Sequence, residues 1–246
     1  MKGLTIELLE DKGKTPLIYI EVASSIKGNI DTHLFYGHFD KQPHGEGWRE
    51  GLHPTKPVII NEMLYGRGGA DDGYSVFFMM TAIKVIQKQG LPHSRFVFLM
   101  EGDEESGSRD MEYYMKKLKE RIGERVKMIW IVDSGAANYD TLWITESLRG
   151  CIISRLQIEV SKAGVHSGSA SGVTPECFRI SRMLLNRIED VNTGKLHNSY
   201  YVTIPTSTLT YAQEFSKTID FKKNLHMLEG VKTTQEDNPL NNDYLT

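Results

Sequence analysis

The sequence predicts an α/β fold, a mostly parallel sheet with helices on both faces, continued by the start of a smaller α+β domain. Three observations predict it. Short apolar runs of strand length alternate with longer amphipathic stretches through the first 133 residues. The acidic and histidine-bearing clusters each fall where an apolar run ends. Beyond Gly150 the alternation gives way to a different pattern. Strands alternating with helices favour a parallel sheet, in which ligands bind beyond the carboxyl ends of the strands.

The elements follow in order. Residues 17–23 (LIYIEVA) and 33–39 (HLFYGHF) read as strands, bounded by polar and turn residues. From Tyr74 to about residue 89, Val76, Met79, Met80, Ile83 and Ile86 recur at three- and four-residue spacing. That is one apolar helix face. RFVFLM at 95–100 reads as a strand, and a charged helix is expected from about Arg109 to Arg121, ended near Gly123. KMIWIVD at 127–133 reads as the next strand, closed by Asp133. Past Gly150 come an expected long strand, CIISRLQIEVS at 151–161, a glycine and serine loop, and a helix over about 174–190 with Pro175 in its first turn. From Asn192 onward the chain reads as polar and irregular. The resulting division is a metal-binding domain over 1–149 and a second domain over 150–246, both incomplete.

Bulk properties narrow the partners. A chain of 246 residues can bury a sizeable core. Its net charge of -3, with acidic and basic residues interspersed, argues against nucleic acid or an anionic membrane. No apolar run approaches the roughly 20 residues that cross a bilayer, and the first residues lack a signal-peptide core, so a cytoplasmic location is expected. Cys151 and Cys177 stand far apart and read as reduced, packed thiols.

The chemistry lies at the strand ends. In YGHFD, His38 closes a strand and Asp40 stands two residues on, the partner a metal-bound imidazole needs for its other nitrogen. LYGRGGADDG is a glycine-rich loop that ends in Asp71 and Asp72 ahead of a helix. A nucleotide site fits poorly there, because no Lys-Ser or Lys-Thr follows and two acids repel phosphate. One of the pair could simply cap the helix, but two adjacent acids look more like a metal site. FLMEGDEESGS crowds Glu101, Asp103, Glu104 and Glu105 behind an apolar strand, where their repulsion calls for a cation or a proton. Asp133 in WIVDSG is the last of these acids. One histidine and several carboxylates suit a divalent cation such as zinc, and the surplus of acids suggests two.

Six stretches in this order, YGHFDKQP, LYGRGGADDG, EGDEESGS, IVDSG, SLRG and GVHSGSASG, resemble the zinc metallopeptidase family of glutamate carboxypeptidase, carnosinase, aminoacylase and succinyl-diaminopimelate desuccinylase. The resemblance covers most of the chain. It implies that His38 and Asp133 hold one zinc, that Glu105 belongs to a second, and that Asp71 bridges both. It implies two zinc ions per subunit, replaceable by manganese or cobalt. Asp40 would orient His38, and Glu104 would act as general base. The Asp71–Asp72 peptide would be cis, and His166 would reach a partner subunit's active site to stabilise an oxyanion, the second domain being a lid that mediates homodimerisation.

Relatives are longer at both ends, and their last zinc ligand is a histidine near the C-terminus. The expectation is therefore a truncated chain with His38, Asp71 and Asp133 as one complete site and only Asp71 and Glu105 for the other, weakly active or inactive alone. His33, His44, His53, His93, His197 and His226 match no ligand position and read as structural or surface residues. The implied activity is hydrolysis of dipeptides or of the C-terminal residue of short peptides. The alternatives are an N-acyl amino acid deacylase, taking acyl-amino acids, and a non-catalytic fragment that keeps one metal site.

Overall fold

The computed structural model describes residues 1–136, 138–218 and 227–231 and separates the chain into two compact units, Met1–Ala136 and Ala137–Thr246. The first unit is built on a five-stranded sheet. Its strands are β1 (Leu4–Leu9), β2 (Leu17–Val22), β3 (Thr32–His38), β6 (Arg95–Glu101) and β7 (Val126–Ile131), in the spatial order β1-β2-β6-β3-β7. β4 (Val58–Ile60) and β5 (Met63–Tyr65) form a separate hairpin. Asn61 and Glu62 turn it with φ of 50° and 65°, the left-handed pair that a two-residue hairpin loop requires.

The expected parallel arrangement is present in β6, β3 and β7. β1 and β2 add an antiparallel margin, so the sheet is mixed. Sequence alternation sorts β6 between two cores. Phe96, Phe98 and Met100 face one side, with Phe35, Met79 and Ile83, and Val97 and Leu99 face the other, with Leu34, Tyr114 and Leu118. Each face is closed by one helix. Helix α1 (Ser75–Lys88) buries Ser75, Met79 and Ile83, and α2 (Met111–Ile122) buries Tyr114, Leu118 and Ile122. Both sets recur every fourth residue, which lines up one stripe of a helix. Helices therefore cover both faces, within two residues of the predicted limits.

The second unit departs from expectation. Residues 151–161 form no strand. An alternating segment becomes a strand only against a partner edge, and the described residues of this unit contain no other strand, only an isolated bridge between Glu189 and Leu196. The helix expected over 174–190 is the shorter α4 (Cys177–Leu185), preceded by α3 (Ser167–Ala170), and Pro175 lies ahead of α4 rather than in its first turn. Residues 206–215, expected to be irregular, form α5 (Thr206–Phe215). Both cysteines are free, but Cys151 is exposed rather than packed, while the Cys177 thiol donates to the Ile158 carbonyl. The tail at 232–246 and His226 lie outside the described residues. Among the described residues no helix is long and apolar enough to cross a membrane.

Candidate metal centre

The parallel strands deliver their chemistry to one edge. His38 ends the middle strand of the three, and its side chain is fully buried. The Nε2 atom faces three carboxylates, at 3.0 Å from Asp71 Oδ1, 3.6 Å from Asp133 Oδ2 and 3.9 Å from Glu104 Oε2. Nδ1 turns away to Asp40, 3.2 Å from its carbonyl oxygen and 3.3 Å from Oδ1. Asp133 stands two residues past the end of β7, whose ladder to β3 continues through Val132 N–H donating to the Tyr36 carbonyl.

Why Asp71 and Asp72 come so close is answered by Gly37. A Cβ there would stand 2.6 Å from Asp72 Oδ2 and 2.6 Å from Ser75 Oγ, so only a glycine lets the start of α1 rest on β3. The Asp71–Asp72 peptide is cis. Asp72 is buried, and its Oδ2 accepts from the His38 backbone N–H at 3.1 Å. Its carboxylate does not cap the helix: Ser75 Oγ donates instead to the Asp72 carbonyl at 2.9 Å.

The four acids behind β6 separate into two pairs. Glu101 accepts from Tyr36 and from Ser108 Oγ, and Asp103 is held by Arg109 through Nε at 3.0 Å and Nη2 at 2.6 Å. These two are consumed by structure. Glu104 and Glu105 begin a single turn of 3-10 helix, Glu104–Ser106, whose first amides donate to Asp40, Glu104 N to Oδ1 at 3.2 Å and Glu105 N to Oδ2 at 2.9 Å. Asp40 thus holds the His38 ring and the acidic turn together. Gln42 Nε2 donates to Glu105 Oε2.

The electrostatics are those of a site short of positive charge. Burial raises Glu104, Asp133 and Asp72 above the usual carboxylate range, and for Glu104 the neighbouring Asp133, Glu105 and Asp40 add to it while His38 opposes. Burial acts to lower His38, but Asp133, Glu104 and Asp72 outweigh it and the imidazole is raised. At this edge two buried carboxylate oxygens, Asp72 Oδ1 and Glu105 Oε1, have no hydrogen-bond partner among the described residues. An unpartnered buried carboxylate oxygen is costly, and a cation satisfies it. Ligand atoms of His38, Asp71 and Glu105 lie within 4.8 Å of one another, as do those of His38, Asp72 and Asp133. The donor set, one imidazole nitrogen among carboxylates, fits a divalent cation.

The structure gathers His38, Asp40, Asp71, Glu104, Glu105 and Asp133 at this edge. Sequence reasoning assigns no role to Asp72 or Gln42. The adjacent acids read as a metal site with Asp71 as the ligand, and Gln42 stands in YGHFDKQP without a signal of its own. His166 belongs to the second unit, where it precedes α3 and its Nδ1 accepts from Gly168 N–H at 3.1 Å. Of the other described histidines, His33 accepts from Trp130 Nε1 and His93 is buried beside Gln87 and Phe96.

Comparison with known proteins agrees with this geometry. The chain is 32% identical over 183 residues to a Beta-Ala-His dipeptidase from Homo sapiens, an alignment covering 71% of this chain and 34% of that protein. It is 30% identical over 217 residues to a Cys-Gly metallodipeptidase from Candida albicans, covering 84% and 43% respectively. The chain thus spans roughly a third to a half of the length of these relatives. In fold it matches the M20 family metallo-carboxypeptidase of Sulfolobus solfataricus, with a TM-score of 0.63 at 20% identity over 96% of this chain and 53% of that one. Human carnosine dipeptidase 1 matches with a TM-score of 0.55 at 22% identity, over 95% and 52%. Residues 34–233 match the description of Peptidase family M20/M25/M40, and with the carboxylate and histidine site falling inside that span, the chain belongs to this family.

Proposed function

We propose that the chain carries the metal-binding portion of a metallopeptidase that hydrolyses dipeptides or releases the C-terminal residue of short peptides. In this reading His38, Asp71, Glu105 and Asp133 hold zinc, with manganese or cobalt able to replace it, and Glu104 is the general base. The observation that carries it is the single edge at which a buried histidine meets Asp71, Asp133 and Glu104 within 3.9 Å, beside the unpartnered Glu105 Oε1.

A divalent cation bound there supplies polarisation of the scissile carbonyl and a lowered pKa for water. Glu104 takes the proton from the attacking water and returns it to the leaving amine. Burial raises its pKa from the ordinary carboxylate value, in the direction that makes it a stronger proton acceptor. Asp40 keeps the His38 ring and the Glu104 amide in fixed relation. Asp72 anchors the His38 backbone. The first unit serves as the catalytic part and the second as the lid, through which two subunits pair. His166 Nδ1 accepts a backbone hydrogen bond, which places the ring proton on Nε2, the donor that an oxyanion in the partner's site would need.

The similarity to proteins named as dipeptidases supports peptide substrates. A shorter match, 35% identical over 85 residues to a succinyl-diaminopimelate desuccinylase of Buchnera aphidicola, keeps acyl-amino acids as the second reading. The test is hydrolysis by the zinc- or manganese-loaded chain of a panel of dipeptides against N-acetyl and N-succinyl amino acids. Faster cleavage of the dipeptides is the expected result. Faster cleavage of the acyl-amino acids transfers the site to the deacylase reading, and cleavage of neither class leaves the chain as the non-catalytic fragment that keeps one metal site.

A further inference from the structure

Glu105 is held twice by the segment that leaves β3. Its backbone N–H donates to Asp40 Oδ2 at 2.9 Å, and its carboxylate Oε2 accepts from Gln42 Nε2. The other oxygen, Oε1, is buried and has no hydrogen-bond partner among the described residues. The two oxygens of one carboxylate thus stand in different surroundings, one engaged and one left over. Ligand atoms of His38, Asp71 and Glu105 lie within 4.8 Å of one another, so this carboxylate sits beside the other candidate ligands.

The kind of donor matters as much as its presence. Two residues earlier, Asp103 is gripped by Arg109 through Nη2 at 2.6 Å and Nε at 3.0 Å, and that ion pair engages the carboxylate's charge within the protein. Glu105 takes part in no ion pair among the described residues. Gln42 offers it a neutral amide, which orients a carboxylate without cancelling its charge. The adjacent Glu104 carboxylate accepts no side-chain hydrogen bond among the described residues, so Gln42 is what sets these two side chains apart.

We propose that Gln42 is a positioning residue of the candidate metal centre: its amide fixes Glu105 Oε2 and leaves Oε1, with the charge intact, for a divalent cation. A hydrogen bond to a ligating carboxylate is one of the means by which a protein sets the affinity of a metal site. The proposal rests on the metallopeptidase reading, in which Glu105 is a ligand, and adds the side chain that aims it.

Zinc chloride titrated calorimetrically into the metal-free full chain tests it, and two variants separate its failure from that of the underlying reading. Glu105→Gln identifies the binding step that depends on Glu105. Gln42→Met keeps the length of the side chain and removes the donor. It is expected to weaken that same step about 10- to 100-fold, the usual loss when a metal ligand is deprived of its partner, and to leave any other step within about twofold of wild type. Gln42 is exposed, so the metal-free Gln42→Met chain is expected to melt at the wild-type temperature. A wild-type Kd in Gln42→Met, where Glu105→Gln loses the step, overturns the proposal and leaves the metallopeptidase reading in place. A lowered melting temperature of the metal-free variant marks a general structural role and overturns it too. An isotherm of Glu105→Gln identical to wild type overturns the proposal together with the assignment of Glu105 as a ligand.

Discussion

Glu104 and Glu105 are neighbours of the same type with different surroundings. Gln42 donates to Glu105, whereas the Glu104 carboxylate stands 3.9 Å from His38 Nε2 and accepts no side-chain hydrogen bond among the described residues. Glu104→Gln keeps the shape and removes the ability to take a proton. We expect kcat to fall by about 10²–10⁴, the usual share of general base catalysis, with zinc content unchanged by elemental analysis. Loss of metal along with rate would instead make Glu104 a ligand. The crowd of acids at 101–105 was legible in the sequence as a crowd, but its division was not. Glu101 is claimed by Tyr36 and Ser108, and Asp103 by Arg109, and no local pattern announces which partner folds back onto which acid.

At the scale of elements, the sheet and α2 are tied by Arg95. Its guanidinium donates to Glu21 Oε1 at 2.9 Å and Oε2 at 2.7 Å, and also to the carbonyls of Ile122 and Arg121 at the end of α2, where a cation meets the negative end of the helix. Hydrogen bonding to Arg95 holds the Glu21 carboxyl below its usual range, and the Tyr19 hydroxyl beside it is pushed up to about 12 by burial and by Glu21. A carboxylate with a lowered folded pKa stabilises the fold fully above its ordinary pKa of about 4.3, and the contribution disappears as pH falls through the folded value. Glu21→Gln should therefore cost about 1–2 kcal/mol at pH 7, with the gap to wild type closing as pH falls from about 5 toward 3. Urea unfolding across that range checks it, and a constant gap would show that the charge contributes nothing. The elements that sequence predicted well, β3, β6, α1 and α2, carry their own buried stripe. Those it missed depend on company: 151–161 lacks a second strand edge, and the β4–β5 hairpin is short and largely exposed, leaving little hydrophobic pattern to read.

Over the whole first unit, the order β6-β3-β7 places His38 centrally, with Glu104 and Glu105 following one flanking strand and Asp133 the other. Alternation of strands and helices predicted this edge, whereas strand order and the antiparallel margin could not be read from local periodicity. Both candidate triads include His38, yet only Nε2 faces the acids, because Nδ1 is turned to Asp40. One nitrogen serves one ion. Calorimetric titration of the metal-free chain with zinc should show one ion bound at least about tenfold more tightly than the next. Zinc at about 100 times the tighter Kd should raise stability by about 2.7 kcal/mol. Two ions of equal affinity, or a melting temperature indifferent to zinc, would contradict this sharing.

Asp40 joins the His38 ring to the amides of Glu104 and Glu105 with a single short side chain. Mechanically it is a tie rod between the end of one strand and the turn that follows its neighbour. Movement of the turn as a body carries the imidazole's anchor with it, so the spacing between Glu104 and His38 is insulated from the loop's own excursions. If the proposed peptidase reading holds, peptides of different bulk would meet the same reactive gauge, and adaptation to their size would fall to the walls around it.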